Sequence, residues 1–211
     1  MQSTQRIYKF PISNAYWRDA SQEFTKIQTI TLASIFVSMT IVLESFSYLI
    51  PLSFMERKIM LSFIPVAFSA MLFGPYVALT TGFIADILGF FVSSSIAPVA
   101  FPFFPGYTVS AMLGAFIYSL FLYRTNISFL RIFLAKFINN IFVNALLGSL
   151  WLYAMYGKKT FWLYLYGGLL KNIILLPFEV ICLYILFEKM IPIAKAYDLI
   201  NYEISDKIKI F

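Results

Sequence analysis

Polar residues recur at helical spacing along one apolar stretch of the sequence, in the order Lys136, Asn140, Asn144 and Trp151. Residues separated by whole helical turns share one face, so these side chains are predicted to line a single stripe. A stripe of ammonium and amide groups that ends in a tryptophan suits a flat, polar, ring-bearing ligand. The alternative is that the amides make hydrogen bonds between helices and that the tryptophan is an anchor at a membrane interface.

Other ionisable residues also interrupt apolar segments, where such residues usually face a cavity or one another. Position along each predicted helix places Lys136 and Glu179 in the same half of the membrane, which predicts an ion pair between them. Lys171 is expected near the middle, and Glu44 and Asp86 in the outer half. Asp86 either accepts a hydrogen bond from a ligand or neutralises Lys171.

Composition excludes several classes of protein. The chain has 211 residues, of which 61% are hydrophobic and 12% charged, with a mean hydropathy of +0.82, so it lacks the polar residues that would cover a soluble domain. Histidine is absent and Cys182 is the single cysteine, which excludes Ser-His pairs, disulfides and Cys-rich metal sites. There is also no GxxxxGK[ST] phosphate loop. We therefore expect no enzyme activity, cofactor, metal or nucleic-acid partner.

The hydrophobic sequence divides into six segments, which predicts an all-α membrane protein with a six-helix bundle. The segments cover residues 28–50, 59–73, 76–92, 107–123, 129–156 and 161–191. Gly74-Pro75 separates the second from the third, and this predicts a tight helical hairpin. Pro177 is expected to kink the last helix without ending it. The membrane domain is thus 28–191, between a polar N-terminal segment, 1–27, and a C-terminal tail, 192–211.

Lysine and arginine placement predicts that both termini are cytoplasmic, because ten of these residues fall on the side of the termini and four on the other. The outer loops then contain Arg57 and Lys58, which either attract an anion or are simply solvated. The loop 93–106 is apolar and proline-rich, so it is expected to fold over the bundle as a lid. Beside its end, Phe104 and Tyr107 either stack on a ligand ring or pack the lid.

Small residues on the first segment, Ala33, Ser34 and Ser38, are spaced so that another helix can approach closely. The alternative is packing inside the bundle.

Several stretches resemble the folate-type substrate-binding (S) components of energy-coupling factor (ECF) vitamin transporters. They are Ser62-Phe63-Ile64-Pro65, Met71-Leu72-Phe73-Gly74-Pro75, Asp86-Ile87-Leu88-Gly89, Phe104-Pro105-Gly106-Tyr107-Thr108-Val109-Ser110-Ala111, Leu150-Trp151-Leu152 and Lys171-Asn172. The resemblance implies a multi-pass protein of the bacterial cytoplasmic membrane that binds a vitamin from outside. Its partners would be a transmembrane coupling protein, which contacts the region of Ser34 and Ser38, and two ATPase subunits. The loops with Arg57, Lys58, Pro105 and Gly106 would gate the site.

The resemblance implies folate as the substrate, but the sequence departs from the folate pattern in three places. Glu44-Ser45-Phe46 stands where the family resembles Ser-Arg-Phe, Gly148 stands for an asparagine, and Gly168 stands for an arginine. Folate is a dianion, and its binding in an apolar pocket needs cationic partners. A vitamin B6 form is therefore the alternative substrate, and a membrane scaffold without a ligand is the alternative from another class. The predicted substrate-binding residues are Glu44, Asp86, Phe104, Tyr107, Lys136, Asn140, Asn144, Trp151 and Lys171.

Overall fold

The computed structural model describes residues 7–8, 11, 13–49, 53–54, 57–58, 61–96, 102–157, 160–200 and 208. This part of the chain is helical apart from a short antiparallel hairpin, in which Ser53 pairs with Lys58 and Phe54 with Arg57. The elements in chain order are α1 (Asn14–Gln22), a 3₁₀ turn (Glu23–Thr25), α2 (Ile27–Leu49), β1 (Ser53–Phe54), β2 (Arg57–Lys58), α3 (Phe63–Ile96), α4 (Pro105–Leu122), α5 (Phe129–Ile138), a π-helix (Asn139–Leu147), α6 (Gly148–Tyr156) and α7 (Phe161–Ala196).

Five stretches of helix within the described residues are long and apolar enough to cross a membrane. They are Ile27–Ser47, Phe63–Ile96, Pro105–Leu122, Phe129–Tyr156 and Phe161–Ala196. Large apolar side chains also point outward from them, which is what lipid requires and water disfavours. The predicted all-helical membrane fold is confirmed at this level, whereas the count of six helices and the cytoplasmic termini stay predictions.

The chain reverses direction inside α3, at Gly74. The backbone there is not helical, with φ of 80° and ψ of −174°, so glycine is favoured at this position. Gly74 lies against Tyr123 at the end of α4, whereas the Phe63 ring lies 3.8 Å from Nζ of Lys136, two turns inside α5. A straight helix would carry residue 63 out of the bundle rather than toward Lys136. The two arms of α3 therefore form the hairpin that Gly74-Pro75 predicts.

The other helices differ from the predicted segments mainly at their ends. Helix α7 continues through Pro177, as expected, but runs to Ala196 and not to residue 191, and it contains Pro192 as well. Prolines are tolerated in membrane helices because neighbouring groups satisfy the freed carbonyls. Helices α2 and α4 match the predicted 28–50 and 107–123 to within two residues.

A π-helix in the middle of the predicted fifth segment was not foreseen. Each turn of a π-helix holds more residues than an α-helical turn, so it changes which side chains face inward. Here it buries two consecutive amides that face different neighbours. Asn139 donates from Nδ2 to the carbonyl of Gly114 on α4 at 2.8 Å, and Asn140 faces α7.

The core lies where the first arm of α3 meets α2, α4, α5 and α7. Phe68 makes aromatic contacts with Phe36 on α2 and Phe187 on α7, at ring centroid distances of 5.5 and 6.2 Å. Helix α1, in the N-terminal segment predicted only as polar, packs on the bundle through Tyr16 and Ala20, which are fully buried. Helix α1 is thus part of the folded body.

Candidate ligand site

The polar stripe predicted on the fifth segment is closed at one end and open at the other. Lys136 and Asn140 are each only 2% exposed, whereas Asn144 is exposed and Trp151 is half-buried. A polar side chain that is exposed in the middle of a membrane helix, as Asn144 is, usually faces a cavity rather than lipid. Access to the stripe is therefore from the end of Trp151, which is opposite the end where Tyr16 packs.

At the closed end, the predicted ion pair between Lys136 and Glu179 is confirmed. Nζ of Lys136 lies 3.2 Å from Oε1 of Glu179, and the second carboxylate oxygen accepts a hydrogen bond of 2.7 Å from Nδ2 of Asn140. A buried ion pair is tolerated only where further hydrogen bonds satisfy its charges, and Asn140 supplies one here. The charge of Lys136 is therefore compensated within the protein.

The orientation of the two amides follows from that carboxylate. Because Glu179 accepts hydrogen bonds and does not donate them, Asn140 must turn its NH₂ group toward it. Its carbonyl oxygen then faces Asn144, whose Nδ2 donates to it at 2.9 Å. The hydrogen bonds that join Asn144 to Asn140 and Asn140 to Glu179 thus run in a single direction, and Asn144 is the exposed member of the chain.

Two carboxylates lie between α2, α3 and α4. Asp86 accepts a hydrogen bond of 2.6 Å from the Thr108 hydroxyl, a contact that the sequence did not predict, and its roles toward a ligand or Lys171 stay predictions. Glu44 lies on α2 close to Gly89, where an added Cβ would stand 3.0 Å from Oε2. Both carboxylates are half-buried. Lys171 is half-buried on α7, next to the buried Asn172.

Phe104, Tyr107 and Trp151 form an aromatic cluster where the start of α4 contacts α6, and we call it the aromatic corner. The Phe104 ring is 5.6 Å from that of Trp151 and 6.1 Å from that of Tyr107, measured between centroids. Gly106 leaves the room for this contact, because a Cβ there would lie 2.7 Å from Cδ2 of Trp151. The indole N–H of Trp151 donates to the Ser110 hydroxyl at 2.9 Å, which fixes the ring.

The first turns of α4 connect this aromatic corner to the carboxylates. Pro105 begins the helix, a position that suits proline because its missing N–H would have no helical partner there. Tyr107 belongs to the aromatic corner, Thr108 holds Asp86 and Ser110 holds Trp151. Sequence reasoning did not assign Thr108 and Ser110, although both stand in the quoted stretch 104–111, where hydroxyl residues alternate with apolar ones.

The other predicted gating residues fall at the same end of the bundle. Arg57 and Lys58 form strand β2 of the short hairpin, and their side chains lie outside the described residues.

The face of α2 that carries Ser34 and Ser38 forms an open groove of about 770 Å³. Both hydroxyls donate at 2.9 Å to carbonyls four residues earlier in the same helix, so the face presents an apolar surface without unsatisfied donors. Ala33 points the other way and is buried in the core. The groove is lined by Ile30, Thr31, Ser34, Ile35, Ser38, Met39, Val42 and Leu43.

Comparison with known proteins agrees with this architecture. The chain is 37% identical over 127 residues to a folate transporter FolT of Clostridium novyi (strain NT), a match that covers 60% of this chain and 70% of that protein. It is 28% identical over 139 residues to a folate transporter FolT of Leuconostoc mesenteroides, covering 64% and 72%. A crystal structure of FolT bound with folic acid has a TM-score of 0.65 at 29% identity, and the match covers 77% of this chain and 93% of that one. Residues 28–187 match the family model of the ECF transporter, substrate-specific component. The chain therefore belongs to the family of ECF transporter substrate-specific components.

Proposed function

We propose that this protein binds folate from the outer side of the bacterial cytoplasmic membrane and delivers it through an energy-coupling module. The observation that carries the proposal is a polar stripe with an internally compensated end and an open end, in a chain similar to proteins named folate transporters. The open end then faces outward. The chain crosses the membrane six times, counting the two arms of α3, and both termini are cytoplasmic.

The ring system of folate is placed at the open end of the stripe, against the aromatic corner. Flat rings stack on aromatic side chains, which Phe104, Tyr107 and Trp151 offer. The pterin edge carries N–H and amino donors, and these suit the exposed amide of Asn144 and the carboxylate of Asp86. Glu44 contributes to the same acceptor-rich side. Asn140 positions the Asn144 amide, and Lys136 positions the Glu179 carboxylate to which Asn140 donates.

The negative charges of folate need a cation, and Lys171 is the candidate within the membrane helices. Lys136 is engaged by Glu179 at 3.2 Å, which leaves Lys171 as the other lysine of the predicted binding set. Arg57 and Lys58 at the outer hairpin add positive charge near the entry to the site. A vitamin B6 form would need fewer cations, but the proteins to which this chain is similar are named for folate, so folate is the proposed substrate.

The groove on α2 is proposed as the docking surface for the transmembrane coupling protein, which works with two ATPase subunits. The groove is apolar, open and bordered by the small residues Ser34 and Ser38, which permit close helix contact. Ala33 supports this helix from the core side. In the reaction cycle the loaded protein docks, topples in the membrane and releases the vitamin inside. The hairpin with Arg57 and Lys58 and the chain that enters α4 at Pro105 and Gly106 then open and close the site.

Direct binding to the purified protein tests the substrate. Folate is expected to quench tryptophan fluorescence and to raise the melting temperature, because a ligand of the folded state stabilises it. Lys171→Ala is expected to weaken folate binding by about 10- to 100-fold, the worth of a hydrogen bond to a charged group. Binding of pyridoxine, pyridoxal or pyridoxamine without a response to folate would show that a vitamin B6 form is the substrate. No response to any of these vitamins would favour a membrane scaffold without a ligand.

A further inference from the structure

A second cluster of buried charge lies outside the site described above, at the end of the bundle where α1 packs. Arg124, in the turn after α4, is 5% exposed, and Glu23, in the 3₁₀ turn before α2, is 6% exposed. Nη1 of Arg124 lies 2.5 Å from Oδ2 of Asp19, and Nη2 lies 3.3 Å from Oε1 of Glu23. We call Asp19, Glu23 and Arg124 the inner charge cluster.

The two oxygens of the Glu23 carboxylate serve different parts of the fold. Oε1 accepts hydrogen bonds from Arg124 and, at 3.4 Å, from the Tyr123 hydroxyl. Oε2 accepts from Nζ of Lys26 at 2.8 Å and from the Thr29 hydroxyl at 3.4 Å. One carboxylate thus ties the turn after α4 to the first turn of α2.

The rest of the N-terminal segment holds this arrangement in place. The Tyr16 hydroxyl donates to the Ser119 carbonyl at 3.2 Å, and the Tyr8 hydroxyl donates to Asp19 at 3.0 Å. The Tyr123 ring packs against Gly74, where α3 reverses. Burial alone would lower the pKa of Arg124, but Tyr123, Asp19 and Glu23 raise it above its ordinary value, so the guanidinium stays charged.

We propose that Glu23 is a positioning residue for docking: it sets the angle at which α2 leaves the bundle and thereby the orientation of its groove. The groove begins at Ile30, one residue after Thr29, so the contacts of Glu23 lie within the same helical turn as the start of its lining. Glu23 precedes residues 28–187, the part of the chain that the family match covers. The inference rests on the proposed function, because the groove is the proposed docking surface.

The test measures docking and folate binding separately. The full-length protein is co-expressed with the coupling module encoded by the same genome, and the amount of module captured per folded protein is compared among variants. Glu23→Gln is expected to reduce the apparent affinity for the module about tenfold, while the Kd for folate of the isolated protein changes less than about twofold. Glu188→Gln is the matched control, because Glu188 is an exposed glutamate near the C-terminal end of α7.

A second variant covers the case in which Glu23→Gln does not fold. Lys26→Met combined with Thr29→Val removes only the contacts of Glu23 with α2 and keeps its pairing with Arg124, so the buried charges stay compensated. Reduced capture by this double variant with unchanged folate binding supports the proposal. Equal capture by this double variant and the Glu188→Gln control overturns it, as does a parallel loss of capture and folate binding. Failure of the unsubstituted protein to bind folate would instead overturn the proposed function.

Discussion

The Lys136–Glu179 pair and the inner charge cluster both compensate buried charges, but in different surroundings. In the membrane interior, Lys136 is paired with Glu179, and their side chains are 2% and 10% exposed. In the inner charge cluster, Arg124 is 6% exposed by its side chain, but Asp19 is 22% exposed and so retains contact with solvent. Solvent therefore reaches the inner charge cluster through Asp19, whereas its other carboxylate, Glu23, is as buried as Glu179. We expect the loss of one partner to cost more where both charges are buried than where one of them retains contact with solvent.

The sharpest test of this difference is Glu179→Gln. It leaves the Lys136 ammonium buried without a counter-charge, and we expect the free energy of unfolding to fall by about 3–5 kcal/mol. Thermal or denaturant unfolding in detergent measures it. The control is the double variant Lys136→Met with Glu179→Leu, which removes both charges and should restore most of the loss. A loss below about 1 kcal/mol for the single variant would contradict the importance of the pair.

A smaller effect is expected for Arg124→Met. The substitution leaves Glu23 beside Lys26, at 2.8 Å, and leaves Asp19 partly solvated, so neither carboxylate is fully uncompensated. We expect a loss of about 1.5–3 kcal/mol, the worth of hydrogen bonds to charged groups. Arg18→Gln, an exposed arginine on α1, is the control and should be close to neutral. An effect equal to that of Glu179→Gln would remove the distinction between the clusters.

Tyr16→Phe tests the neutral contact beside the inner charge cluster. Its hydroxyl donates to the Ser119 carbonyl, which also accepts the backbone N–H of Tyr123, so that carbonyl keeps a partner. The expected loss is only about 1 kcal/mol in the same unfolding measurement. A loss of the size predicted for Arg124→Met would mean that the hydroxyl hydrogen bond of Tyr16 anchors α1 as strongly as the ion pairs do.

Salt is expected to have the smallest effect and to act on one cluster only. Raising ionic strength from 0.1 to 1 M shortens the Debye length from about 10 to about 3 Å, which screens charges that reach solvent. The stability difference between the unsubstituted protein and Arg124→Met should shrink by about 0.5 kcal/mol. The difference for Glu179→Gln should stay constant. Equal salt dependence of the two differences would show that water reaches Lys136.

The two clusters also differ in how far the sequence predicts them. Lys136 and Glu179 stand in recognisable membrane segments, and the fixed rise of a helix gives the depth of each residue, so the sequence predicts that the two can pair. Arg124 and Asp19 are 105 residues apart, and Asp19 belongs to a segment whose composition indicates only a polar terminus. A charged residue in a polar segment is usually solvated, so the sequence offers no signal that Arg124 is buried.

Within the candidate site, the sequence determined which side chains share a face and where the chain must turn. Helical spacing placed Lys136, Asn140 and Asn144 on one stripe, and Gly74-Pro75 marked the reversal in α3. The periodicity of a helix specifies depth and face, but it does not specify which neighbour that face meets. Only the tertiary structure decided that Thr108 holds Asp86 and that Glu23 joins α2 to Arg124, because those contacts depend on how the helices rotate and pack against one another.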